Sequence, residues 1–254
     1  MSTTLGIILA AGEGKRLNSC SRNKVTMMFH GKPLIQYAVN VLKKVSSHII
    51  VVVGAYSESV QEVLSHEKEV TYAFQNQRLG TAHAVKVALE SNKKEFDRVI
   101  VGYGDHMMFY HPETLENLLK VTEKPDIGFS LVTASVSLPK GYGRIIRNET
   151  GHVIDIVEEK DATEEERNIQ EINAGLYCFV YDFLVRSLPL IGKSPVTNEY
   201  YLTDVLKIAI AEEKRVVPLL VPYTQVGIGI NTPQDYSASA QLYEQHTLGS
   251  HSGI

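Results

Sequence analysis

The 254-residue chain is long enough to bury a full core in one large domain or two small ones. Its composition is that of an ordinary globular protein, and a formal charge of −4 excludes broad electrostatic attraction to nucleic acid or anionic membrane. Two cysteines, Cys20 and Cys178, are too few for a disulfide framework, and the N-terminal apolar run is too short for a secretion signal, so a cytoplasmic protein is expected.

Ile7, Ile8 and Leu9 read as a short buried parallel strand that breaks into the small-residue run Ala10-Ala11-Gly12-Glu13-Gly14. Pro33 to Lys44 predicts a helix, His48 to Val53 a strand closed by Gly54, and Ser57 the cap of a helix reaching Leu64. Val70 to Phe74 predicts a third strand, Gly80 to Leu89 a helix, and Asp97 to Asp105 a fourth strand ending in an acid. This alternation predicts an α/β fold, a doubly wound, mostly parallel sheet of Rossmann-like type.

The second half changes character. Pro112 to Val121 predicts a helix and Ile127 to Val136 a strand, followed by two extended segments around the turn Asn148-Glu149-Thr150-Gly151. Asp161 to Gln170 reads as a charged, solvated excursion, Glu171 to Val180 as a buried strand, and Tyr200 to Glu212 as an amphipathic helix. Val216 to Val221 and Val226 to Ile230 read as the last strands, Pro233 to Gln245 as the last helix, and the residues after Leu248 as a tail.

A glycine loop directly after a buried strand exposes N–H groups where phosphates bind well, and Arg16 and Lys24 add positive charge beside it. A dinucleotide loop would need a third glycine where Leu17 stands, and a Walker loop would need four residues between its glycines, then Lys-Ser/Thr. A nucleotidyltransferase loop and an ordinary strand-to-loop turn both fit. Asp105, ending a strand at the same edge, is suited either to Mg²⁺ facing phosphates or to capping the junction. In Gln75-Asn76-Gln77-Arg78-Leu79-Gly80-Thr81, the glutamine amide offers a paired donor and acceptor for a pyrimidine edge, and Gly80 lets a base approach the backbone. A polar turn before a capped helix is the plainer alternative, and His83 reads as a packed histidine.

Leu9 to Arg16 matches the pattern L-A-A-G-x-G-x-R. Gln75 to Ala84, Gly104-Asp105, Gly141 to Ile145, Ile156 to Thr163, Gln170 to Gly175, Glu199 to Asp204 and Gly229-Ile230-Asn231 follow in order. Together they resemble the uridylyltransferase domain of the bacterial bifunctional UDP-N-acetylglucosamine pyrophosphorylase/glucosamine-1-phosphate acetyltransferase family. The resemblance spans nearly the whole chain. It implies one nucleotidyltransferase domain over 1–247, with a nucleotide-binding part up to about 110 and a smaller, β-rich sugar-binding part over about 111–230.

The residue roles come with that resemblance. Leu9, Ala10, Ala11, Gly12 and Gly14, with the catalytic cations Arg16 and Lys24, would cradle the nucleotide phosphates. Gln75, Gly80 and Thr81 would recognise uridine, and Asp105 and Asn231 would hold Mg²⁺. Gly143, Glu158, Asn173, Tyr201 and Thr203 would contact an amino-sugar phosphate. UTP and a sugar 1-phosphate are the implied partners, with no nucleic acid or membrane; the oligomeric state stays open. No hexapeptide-repeat segment follows the last helix, so acetyl transfer is not expected of this chain. Two departures stand out. Asn23 occupies the place before Lys24 where the family carries proline, and His106-Met107-Met108 replaces a small residue, proline and leucine after the acid.

Overall fold

A computed structural model describes residues 3–12, 14 and 22–249. Strand β1 (Thr4–Ala10) is buried along its whole length, as its apolar run requires. It lies parallel to β4 (His48–Val53) on one side and β6 (Arg98–Tyr103) on the other, and β5 (Val70–Phe74) extends the sheet beyond β4. Past β6 come β10 (Glu171–Val180), β7 (Ile127–Ser135) and β11 (Arg215–Leu220), giving the order β11-β7-β10-β6-β1-β4-β5. Within that order only β10 runs antiparallel to its neighbours. A hairpin of β8 (Arg144–Arg147) and β9 (Val153–Val157) joins the sheet through β10 and turns at Asn148, whose side-chain oxygen accepts from the Thr150 and His152 amides.

Side-chain alternation along β1 divides the core. Leu5, Ile7 and Leu9 face α3 (Thr81–Glu90), α6 (Tyr181–Ser187) and α7 (Val205–Ala211), while Ile8 and Ala10 face α1 (Leu34–Leu42), α2 (Ser57–Val63) and α4 (Pro112–Thr122). The result is three layers, helices on both faces of the sheet. A third cluster forms where the short β2 (Met28–Phe29) and β3 (Lys32–Pro33) hairpin meets α8 (Pro233–Gly249): Phe29 packs edge-on against Tyr37, Tyr236 and Tyr243.

β4, β5 and β10 occupy the predicted ranges. Val226 to Ile230 is not a strand. A 3-10 turn (Tyr223–Gln225) leads into irregular chain whose two apolar ends, Val226 and Ile230, are buried without sheet pairing. The helix expected from Tyr200 begins as a 3-10 turn at Leu202–Asp204 and becomes α7 only at Val205. Ser57 is not a cap; Tyr56, in a left-handed conformation, occupies that position, and the hydroxyl of Ser59 donates back to the Tyr56 carbonyl. The charged excursion contains α5 (Glu164–Arg167), closed by a reciprocal Thr163–Glu166 capping box. Arg16 and the tail residues 250–254 lie outside the described residues.

Candidate active site

The chain moves from β1 outward to β4 and β5, then returns to β6 on the other side of β1. The carboxyl ends of β1 and β6 therefore flank a topological switch point, where open α/β sheets form their ligand crevice. A cleft of about 860 Å³ opens there. Its volume lies in the ~300–1,000 Å³ range of small-molecule sites.

Leu9, Ala10, Ala11 and Gly12 form one wall, directly off β1. Gly14 adopts a left-handed conformation (φ +64) and is not among the described residues that line the cleft. Lys24 reaches in from a 3-10 turn (Lys24–Thr26). Its ammonium donates to the Asp105 carboxylate and, at 2.8 Å, to Asn231 Oδ1, with the Ile230 carbonyl 3.5 Å away. Asp105 follows β6, and Asn231 sits where the 226–230 segment meets α8. There Asp235 Oδ2 accepts from the Asn231 and Thr232 amides. Three chain segments far apart in sequence thus converge on one cation.

Asn23 fixes the base of this arrangement. Only 1 % exposed, its side-chain amide donates to the carbonyls of Ala10 (2.8 Å), Ala55 (3.1 Å) and Gly12 (3.4 Å), while its backbone N–H donates to Ser59 Oγ (3.0 Å). Its Oδ1 accepts from the Val25 amide and so caps the turn that carries Lys24. One side chain ties the glycine loop, the end of β4 and the lysine together. The sequence marked position 23 only as a departure.

On the opposite wall, Gln75 continues β5, its backbone N–H donating to the Val53 carbonyl at 2.8 Å. Gly80 has φ +111, and a Cβ there would lie 2.3 Å from the Tyr200 carbonyl oxygen, so only glycine fits. The Tyr200 amide donates to the Leu79 carbonyl, the Ala82 amide to the Tyr200 carbonyl, and the Leu202 amide to Thr81 Oγ1. The turn that holds Gln75, Gly80 and Thr81 is thereby stitched to the segment that holds Tyr201 and Thr203.

The expected sugar group is split. Gly143, Glu158 and Asn173 line the main cleft. Tyr201 lies in an adjoining cleft of about 390 Å³ that shares Glu158, and its hydroxyl meets Thr197 Oγ1 at 2.6 Å. Thr203 stands behind Glu158 and donates to its Oε1 at 3.0 Å. Burial raises the Glu158 carboxyl above the usual carboxylate range; the Thr203 bond opposes this, and the charges of Asp161, Asp204 and Glu199 add to it. Asn173 sits at an irregularity in the β7–β10 pairing, a device that re-aims side chains beside sites. Its amide donates to the Tyr177 hydroxyl (2.6 Å) and its Oδ1 accepts from Gly175 (3.2 Å).

Several cleft residues escaped the sequence reading. Arg78 and Lys140 bring two further cations to the wall. His106 also lines it, tilted against Tyr142 and 3.3 Å from the Gly227 carbonyl, and burial lowers its pKa and so favours the neutral ring. Arg144 of the Gly-Tyr-Gly-Arg run is buried and pairs with Glu159 at 2.7 Å, clamping the residues that follow Gly143 and Glu158. Only a charge-rich motif hinted at that pair. Among the described residues no helix is long and apolar enough to cross a membrane.

Known proteins resemble this chain in sequence and in fold. The bifunctional protein GlmU of Caldicellulosiruptor saccharolyticus is 41 % identical over 237 residues, covering 92 % of this chain and 50 % of the relative. The protein of the same name from Francisella tularensis subsp. novicida is 42 % identical over 207 residues, covering 81 % and 44 %. The chain spans about half the length of these curated relatives. A UDP-glucose pyrophosphorylase solved with UDP-glucose superposes with a TM-score of 0.77 at 20 % identity over 97 % of this chain and 100 % of that one, a likeness of fold. Residues 5–223 match the nucleotidyl transferase family model, so the chain belongs to the nucleotidyl transferase family.

Proposed function

We propose that the chain is a sugar-1-phosphate uridylyltransferase that joins UTP and N-acetylglucosamine 1-phosphate to give UDP-N-acetylglucosamine and pyrophosphate. The observation that carries this reading is the convergence of Lys24, Asp105 and Asn231 on the rim of the glycine loop, opposite Gln75 and Gly80. The nucleotide belongs to the part of the chain up to about residue 110. The sugar belongs to the part over about 111–230. A cytoplasmic location is consistent with nucleotide-sugar synthesis.

An oxygen of the sugar phosphate attacks the α-phosphorus of UTP, a new P–O bond forms, and the bond to the β-phosphate breaks to release pyrophosphate. The attacking oxygen is already anionic, so no Ser, Cys or His nucleophile is needed. The obstacle is bringing two anions together and stabilising the charge that develops, which alignment and preorganised cations accomplish. Backbone N–H groups of Ala11 and Gly12 face the phosphates. Lys24, Arg16, Arg78 and Lys140 supply fixed charge.

Asp105 and Asn231 present a carboxylate and an amide oxygen, the hard donors Mg²⁺ prefers, and their oxygens already hold the Lys24 ammonium between them. Mg²⁺ is commonly bound through one or two protein oxygens and keeps waters and substrate phosphates as its other ligands. When bound, Mg²⁺ neutralises the charge on the reacting phosphates and leaving pyrophosphate. Glu158, with Thr203 on its Oε1, and Gly143 form the sugar side.

The test is pyrophosphate release across a panel of sugar 1-phosphates with UTP, TTP, CTP and GTP, with and without chelator. Mg²⁺-dependent release greatest with UTP and N-acetylglucosamine 1-phosphate supports the reading. Nucleotide binding without release on any pair refutes it.

A further inference from the structure

Gln75 is 5 % exposed on the cleft wall, and its Nε2 makes two contacts: 3.1 Å to the Gly80 carbonyl oxygen and 3.0 Å to His83 Nδ1. A backbone carbonyl has no proton to give. The atom beside it must therefore be the amide nitrogen, which fixes the orientation of the group. The second amide hydrogen then points at Nδ1, which accepts it, so the imidazole carries its proton on Nε2. Both donor positions of the amide are consumed within the protein. Among the described residues no donor is found on Oε1, and an acceptor is what the amide can offer a ligand.

That polarity decides which base fits. The pairing edge of uracil carries an N3–H that donates to such an oxygen. Cytosine presents a bare N3 at the same place, where two acceptors would face each other. A buried acceptor left opposite another acceptor discriminates strongly, because neither can recover its lost bond to water.

We propose that His83 is a positioning residue: its ring acts through Gln75, holding the amide with oxygen toward the cleft so that the site selects a nucleotide whose base carries an N–H at the pairing edge. This rests on the reading of Gln75 as the residue that meets the base. It goes beyond that reading by assigning the selectivity to a residue outside the cleft wall and by fixing which end of the amide is offered. Gly80 supplies the first restraint, and His83 supplies the second, without which the amide can rotate and present its nitrogen.

The test measures dissociation constants of UTP and CTP for the full chain and two variants, without sugar phosphate. His83→Leu keeps bulk but removes the acceptor; His83→Asn places a carbonyl oxygen near the position of Nδ1. We expect His83→Leu to reduce the preference for UTP over CTP by about tenfold, the scale of one hydrogen bond. His83→Asn should retain the preference within about threefold of the parent. An unchanged ratio in His83→Leu, equal weakening of both nucleotides, or a parent chain that holds UTP and CTP equally overturns the inference. Turnover does not enter these ratios, so failure of the proposed reaction is read separately, by pyrophosphate release from the parent chain.

Discussion

The Lys24 ammonium lies against the Asp105 carboxylate, with both side chains largely enclosed, at 15 % and 10 % exposure, although 81 residues separate them in sequence. The pair joins the loop after β1 to the end of β6 at the point where the sheet reverses its winding. Removing the ammonium takes one oriented cation from the reacting phosphates and leaves Asp105 uncompensated. Lys24→Ala should lower kcat for pyrophosphate release by ~10²-fold or more, the scale of one lost transition-state contact. Near-normal turnover in that variant would remove Lys24 from the mechanism.

Asn23 should matter to stability as well as to rate. Its amide satisfies the buried Ala10 carbonyl and the partly buried Ala55 carbonyl from a side chain that is 1 % exposed. Asn23→Ala leaves those acceptors unpaired and should cost ~1–3 kcal/mol. At ~2–4 °C per kcal/mol for a chain of this size, calorimetry will resolve the fall in Tm. The backbone at position 23 (φ −68) suits proline, but Asn23→Pro forfeits the N–H donated to Ser59. Both variants should lose kcat through misplacement of Lys24.

Gly80 is the joint between the two walls. Gly80→Ala drives a methyl into the Tyr200 backbone and must displace either the 75–81 turn or the 199–203 segment. Backbone strain alone contributes ~1–3 kcal/mol. The expected kinetic signature is a rise in KM for both substrates, since Thr81 and Leu202 are bonded across the same seam. A rise confined to one substrate would mean the walls move independently.

Glu158 predicts a pH dependence of stability. Its carboxyl is raised in the folded protein, chiefly by burial, so the native state keeps a proton to higher pH than the unfolded chain does. Stability from this group therefore falls as pH rises from the ordinary carboxylate value of ~4.3 through the raised one. Glu158→Gln keeps an acceptor for Thr203 and removes the titration. The Tm of the variant relative to the parent should climb between pH 4 and pH 8, and a constant difference across that range would contradict the assignment.

Much of this architecture could be read from the chain because local pattern and tertiary role coincide. β4 from Ile49 and β10 from Ala174 are apolar runs that only a sheet covered on both faces can bury. Val226–Ile230 shares that apolar character, yet it serves another end: its ends pack inward while Gly229 passes beside His106 and its last residue leads into Asn231. Hydrophobicity marks burial there, not pairing. α6 went unpredicted: the expected strand stops at Val180, and the seven residues Tyr181–Ser187 that follow it make a helix too short to show a clear period. The site shows the same division. The glycine loop, Asp105 and Gln75 lie in recognisable runs. The roles of Asn23 and His83 depend on partners that spacing does not reveal, since Asn23 bonds to chain 11 to 36 residues away and His83 bonds to the residue that reads as the reader of the base.

In the proposed reaction two phosphate compounds meet at the carboxyl rim of β1 and β6. A crystal grown with Mg²⁺ and UDP-N-acetylglucosamine tests it most directly. Uracil is expected against Gln75 and Gly80, the diphosphate over Ala11 and Gly12 within reach of Lys24, and the sugar toward Gly143 and Glu158. A nucleotide bound outside that cleft, with Lys24 and Asp105 untouched, would contradict it.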